Sequence, residues 1–223
     1  MEHYFWADKP KQTAFPIAGP GYPYIFASAF VTVILALIGI GWAAVLGIIA
    51  TFFICYFFRD PDRVTPHDEN AIISPADGRI VHVGLANSNP FVAGACVKVG
   101  IFMSVFNVHV NRIPYAGVIK KILYQPGKFY AADKDVASTQ NEYNAVVLET
   151  KQKQEICFVQ IAGLIARRII CGIQEGDSVA RGQRFGMICF GSRVDIYLPQ
   201  DTNIEVAVGD RVTAGATVIG YIH

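Results

Sequence analysis

The chain has 223 residues, room for one ordinary domain and an extra segment but not for two full domains. Hydrophobic residues make up 52%, charged residues 17%, and mean hydropathy is +0.35, which excludes a disordered chain and is too apolar for a purely soluble one. Nineteen Lys and Arg against 18 Asp and Glu leave a net charge of +1, with no field or basic run to recruit nucleic acid.

The apolar excess lies near the start. No charged residue occurs from Gln12 to Phe58, and from Tyr22 to Phe58 the polar side chains besides tyrosines are Ser28, Thr32 and Thr51. A membrane helix needs about 20 apolar residues, so this stretch exceeds one span and falls short of two. Phe26–Ile38 and Trp42–Phe58 around Gly39-Ile40-Gly41 suggest two short helices; one long tilted span and a buried soluble hairpin are the alternatives. No basic leader or small-residue cleavage site frames the run, which argues against a cleaved signal peptide. Lys9 and Lys11 before it balance Arg59 and Arg63 after it, so flanking charge does not orient it. Residues 1–58 thus form a membrane-associated helical segment, and 59–223 a second domain.

Charge returns at Arg59-Asp60-Pro61-Asp62-Arg63. Beyond it, Gly78–Val83, Ala95–Val99, Ala145–Glu149, Ile156–Ile161 and Val194–Leu198 read as strands rich in Val, Ile, Tyr or Phe. Long 3.6-residue periodicity is missing, so the domain is mainly β, a barrel or sandwich. Gly176-Asp-Ser-Val-Ala-Arg-Gly182 recurs 33 residues later as Gly209-Asp-Arg-Val-Thr-Ala-Gly215, each copy followed by an apolar strand. Such a unit supplies a tight turn, a core valine and a second reversal. It is similar to the hairpins of barrel-sandwich domains that carry lipoyl or biotinyl groups. Five cysteines without metal spacing (Cys55, Cys96, Cys157, Cys171, Cys189) read as reduced, mostly buried thiols in a cytoplasmic setting.

Three short segments could carry chemistry: Ser74-Pro75-Ala76-Asp77-Gly78, Asn107-Val108-His109-Val110-Asn111-Arg112, and Phe190-Gly191-Ser192-Arg193-Val194-Asp195. Singly, each reads as a turn or a structural histidine. Together with Gln160-Ile-Ala-Gly-Leu-Ile-Ala-Arg-Arg168 and the Phe58–Pro61 junction, they resemble phosphatidylserine decarboxylase proenzymes of the short prokaryotic form, over about residues 52–222. The resemblance implies self-cleavage between Gly191 and Ser192 into associated large (1–191) and small (192–223) chains. Ser192 Oγ would attack the Gly191 carbonyl, with His109 as base and Asp77 holding its tautomer, and Ser192 would become a covalent pyruvoyl cofactor. That group would form a Schiff base with the amine of phosphatidylserine and yield phosphatidylethanolamine and carbon dioxide. His109 would also reprotonate the product carbon. No metal is implied. The location implied is the cell membrane, peripheral or hairpin-anchored, with the catalytic domain on the cytoplasmic side, and a homo-oligomer is compatible with it.

The chain departs from longer members in one place. Many of them carry a second histidine where this sequence has Phe106. Arg112, Arg167 and Arg168 could bind the lipid phosphate, but structural or surface pairing serves each as well. A membrane-anchored serine peptidase would use the same triad, and a membrane adaptor would share the hairpins. An adaptor should also carry a heptad-patterned insertion, which this chain lacks.

Overall fold

The computed structural model describes residues 16–86, 90–92, 94–134, 136–164, 168–189 and 191–222. These fall into two compact units that meet between Asp62 and Arg63, within the segment where charge returns to the sequence. In the first unit, α1 (Tyr22–Leu37) and α2 (Gly41–Phe57) are separate helices, and the chain reverses at Gly39, whose φ is 80°. The one-span alternative is thereby set aside. Ala18 N–H donates to Phe58 O at 2.8 Å and Asp60 N–H to Pro16 O at 2.9 Å, so the hairpin's two ends are tied together.

Apolar side chains surround both helices, and Phe26, Phe30, Leu37, Trp42 and Phe52 are exposed. The three polar side chains of this stretch are consumed inside the hairpin. The Ser28 and Thr51 hydroxyls bond to each other at 2.8 Å across the helices. Thr32 Oγ1 donates to Ser28 O, and Thr51 Oγ1 to Gly47 O. Helices whose serine and threonine hydroxyls are satisfied within the hairpin suit a hydrocarbon environment. The stretch Gly19–Leu37 is long and apolar enough to cross a membrane; α2 is shorter.

The second unit is mainly β. Its strands are β1 (Ala71–Ile73), β2 (Gly78–Ala86), β3 (Cys96–Met103), β4 (Val110–Arg112), β5 (Gly117–Gln125), β6 (Tyr143–Glu149), β7 (Glu155–Ile161), β8 (Ile169–Cys171), β9 (Ser178–Val179), β10 (Arg184–Ile188), β11 (Ser192–Pro199), β12 (Asn203–Ile204), β13 (Arg211–Val212) and β14 (Val218–Tyr221), with a one-turn helix α3 (Ala137–Gln140) before β6. Eight strands form one antiparallel sheet in the order β13-β2-β3-β11-β7-β6-β5-β9, accompanied by three-stranded sheets β1-β14-β12 and β4-β10-β8. Inward residues such as Ile80, Ile101, Phe158, Phe185, Val194 and Ile196 make the main core. A second cluster around Cys157, Val159 and Tyr197 packs on the other face.

The sequence repeat appears as matched edges of the large sheet. β9 closes one edge against β5, and β13 closes the other against β2. In each copy the Asp accepts a backbone N–H three residues back, Gln174 to Asp177 and Ala207 to Asp210, both at 2.8 Å. Val179 and Val212 are buried, and the four repeat glycines have positive φ, the conformation for which the turns select glycine.

Candidate active site

Ser192 opens β11 directly opposite Met103 of β3. Alternation along β11 turns Ser192, Val194 and Ile196 to one face, and Ser192 is fully buried there. Its hydroxyl donates to Met103 Sδ at 3.4 Å. The preceding Gly191 has φ 65°, and its carbonyl oxygen lies against Gly163 with no room for a side chain between them. On the opposite face of β11, Arg193 Nε pairs with Asp195 Oδ1 at 2.5 Å and Lys98 Nζ with Asp195 Oδ2 at 2.8 Å. These buried charges tie the strand to β3 just beyond Ser192.

His109 is reached by a turn at the end of β3. The Asn107 carboxamide oxygen accepts from both the backbone N–H and the hydroxyl of Ser104, each at 2.8 Å. That turn aims Asn107 O at His109 Nδ1, 2.9 Å away. A carbonyl can only accept, so Nδ1 carries the proton of the neutral ring and Nε2 holds the basic lone pair. The imidazole is fully buried, and its backbone carbonyl accepts from Ile188 N–H at 3.4 Å, three residues before Gly191.

Asp77 is held from two sides. Its Oδ1 accepts the Ala214 N–H at 2.7 Å, and its Oδ2 pairs with Arg63 at 3.1 Å. Both oxygens are thus engaged, and the Asn107 carbonyl holds His109 Nδ1. Asp77 also lines a cleft of about 560 Å³ that it shares with Ser104, Phe106 and Asn107. Phe106 is 64% exposed at that cleft.

A buried amide chain, unforeseen in the sequence, leads to Ser192. Asn144 Nδ2 donates to Gln160 Oε1 at 3.1 Å, Gln160 Nε2 to Asn111 Oδ1 at 2.9 Å, and Asn111 Nδ2 to Met103 Sδ at 3.7 Å. Every donor points the same way, and the last converges with the Ser192 hydroxyl on one thioether. Asn111 and Gln160 stand inside the motifs that carry the resemblance, which was the available signal. Arg112 is a structural residue: it is buried and donates to Gly182 O at 3.0 Å. Arg168 is exposed, and Arg167 lies outside the described residues.

The phosphatidylserine decarboxylase family model matches residues 50–220. The chain belongs to that family. It is a decarboxylase, and the peptidase and adaptor readings are set aside. A phosphatidylserine decarboxylase proenzyme of Desulfotalea psychrophila is 48% identical over 211 residues, covering 95% of this chain and 99% of the relative. One from Syntrophus aciditrophicus is 48% identical over 205 residues, covering 92% and 96%. Another from Geotalea uraniireducens is 45% identical over 207 residues, covering 93% and 97%. Membership in this decarboxylase family spans both the helical hairpin and the β unit.

Proposed function

We propose that this enzyme decarboxylates phosphatidylserine to phosphatidylethanolamine at a pyruvoyl group that it makes from its own Ser192. The observation that carries the reading is the Gly191-Ser192 bond itself, with the glycine carbonyl packed against Gly163 and the serine at the head of a buried strand.

In self-cleavage, Ser192 Oγ attacks the Gly191 carbonyl carbon and passes its proton to His109 Nε2. The C–N bond breaks as that proton reaches the serine nitrogen, so an ester replaces the amide. Removal of the Ser192 Cα proton then expels Gly191 as a carboxylate, leaving dehydroalanine. Water replaces its nitrogen, releasing ammonia and leaving a pyruvoyl group at the start of a 32-residue small chain. Asp77, neutralised by Arg63, serves as a positioning residue on the Ala214 turn.

The residues around Ser192 suit this conversion. The hydroxyl's partner is a thioether, a weak acceptor, so losing the hydroxyl strands no strong buried group. Asn111 Nδ2 has the same weak partner and is available to a new carbonyl. The pyruvoyl ketone supplies an electron sink when it condenses with the substrate amine. His109 Nε2 then returns a proton to the carbon that has lost carbon dioxide.

The hairpin of residues 16–62 is the membrane anchor in this reading. At 1.5 Å per residue, each helix is roughly 25 Å long against a hydrocarbon core of about 30 Å, which favours a re-entrant insertion with both ends on one side. Detergent-solubilised protein incubated separately with phosphatidylserine and with free serine tests the substrate. Carbon dioxide from the lipid, and a borohydride-trapped adduct on the small chain, are expected. Turnover of serine alone would overturn the lipid assignment.

A further inference from the structure

Arg79 and Arg211 stand directly opposite each other on β2 and β13 and both line the cleft that holds Asp77 and Ser104. Both are exposed, and among the described residues neither guanidinium makes a hydrogen bond or an ion pair. Like charges opposite each other on neighbouring strands repel, so the pairing opposes sheet stability. The repeat shows that the fold does not demand it. Arg211 fills the variable position of Gly209-Asp-Arg-Val, and the other copy has Ser178 there, opposite Val118.

The charge around the pair is uncompensated. Asp77, the carboxylate lining the cleft, already has Arg63, so the two guanidiniums leave a surplus of two positive charges. The register continues from Arg79 to Phe102 on β3 and on to Arg193 of β11, the sheet face opposite Ser192, and the cleft runs from there past the end of β3 to Ser104 and Asn107. The cleft is therefore cationic on one side, bordered by Phe102 and Phe106, and extends to Asn107, whose carbonyl holds His109. Two forks side by side fit the oxygens of a tetrahedral phosphate, which turns their mutual repulsion into a shared attraction.

We propose that Arg79 and Arg211 form a subsite for a phosphodiester monoanion, and, resting on the decarboxylase reading above, that it receives the head-group phosphate of the lipid rather than its carboxylate. The carboxylate is lost in the reaction, whereas the phosphodiester persists in the product. The subsite therefore holds substrate and product alike.

The test is calorimetric binding of glycerophosphoethanolamine, which has the phosphodiester but no carboxylate, to the full detergent-solubilised protein. The parent should bind it, and Arg79→Gln/Arg211→Gln should bind at least about tenfold more weakly, a loss of 1.4 kcal/mol or more. Arg79→Lys/Arg211→Lys, which keeps charge but loses the forks, should fall between, and Lys121→Gln/Lys134→Gln should bind like the parent. Inorganic phosphate run in parallel separates a site for any phosphate from one that needs the diester, and comparable affinity for the two would overturn the head-group assignment. Equal binding by parent and Gln/Gln protein, or no binding by the parent, overturns the subsite. So does a loss seen only with glycerophosphoserine, because that places the arginines on the carboxylate. A parent that binds glycerophosphoethanolamine through these arginines yet releases no carbon dioxide from phosphatidylserine overturns the decarboxylation reading and leaves the subsite standing.

Discussion

A Cβ at position 163 would lie 2.0 Å from the carbonyl oxygen of Gly191. No real side chain tolerates that distance, so any residue but glycine at 163 must displace the peptide whose carbonyl Ser192 is proposed to attack. Position 163 lies 28 residues upstream, in the segment that follows β7, and it acts on the cleavage site through backbone proximity alone.

Gly163→Ala should therefore slow self-cleavage at least about tenfold, a barrier change of roughly 1.4 kcal/mol that a displaced carbonyl readily produces. Denaturing gels over a time course of synthesis check this. Unchanged processing of Gly163→Ala would show that the close approach has no part in the reaction.

The amide chain makes a separate prediction. Gln160→Leu removes the partner of Asn144 Nδ2 and of Asn111 Oδ1 in a fully buried setting. Leaving buried polar groups unsatisfied costs about 1–3 kcal/mol each, so the urea midpoint should fall with an unchanged slope. Asn111 would also lose the contact that orients it beside Met103, and processing should slow.

The cysteines are free thiols, three of them buried. Burial pushes the Cys157, Cys171 and Cys189 thiols up from their ordinary value, with Arg168 only partly offsetting this at Cys189. A raised pKa means less thiolate at a given pH, so these three should react slowly with a disulfide reagent at pH 8. Their rates should keep climbing as pH rises further, and unfolding should release all of them at once. Rapid labelling of Cys157 in native protein would contradict the packing of the second core cluster.

Much of this architecture can be read from the chain because it rests on local rules. The Gly-Asp-x-Val-x-x-Gly copies announce their own turns, and β6, β7 and β11 are rich in Val, Ile, Leu, Tyr or Phe. β5 is hidden because Lys120 and Lys121 interrupt its alternation, where a register shift between Ile119 and Lys121 bends the strand. The motif residues Ser192, His109 and Asp77 can be read as well, but their partners cannot. Arg63 and Ala214 meet Asp77 from 14 and 137 residues away. The Asn107 carbonyl takes the imidazole through a turn that a histidine motif does not reveal. The Arg79–Arg211 pairing likewise exists only once β13 closes the sheet.

The hairpin's role is tested by removing it. The β unit from Arg63 onward has its own core, so deletion of residues 1–62 should move the protein from the membrane to the soluble fraction. A deletion variant that still sediments with membranes after a high-salt wash would assign the anchoring to the β unit.

Conversion of Ser192 is read out by an intact-mass spectrum of the purified protein under denaturing conditions. Two species are expected, residues 1–191 with a free carboxyl terminus and residues 192–223 beginning with a pyruvoyl group in place of serine, and a single uncleaved chain for Ser192→Ala. A full-length mass with Ser192 intact in protein that releases carbon dioxide from phosphatidylserine would contradict it.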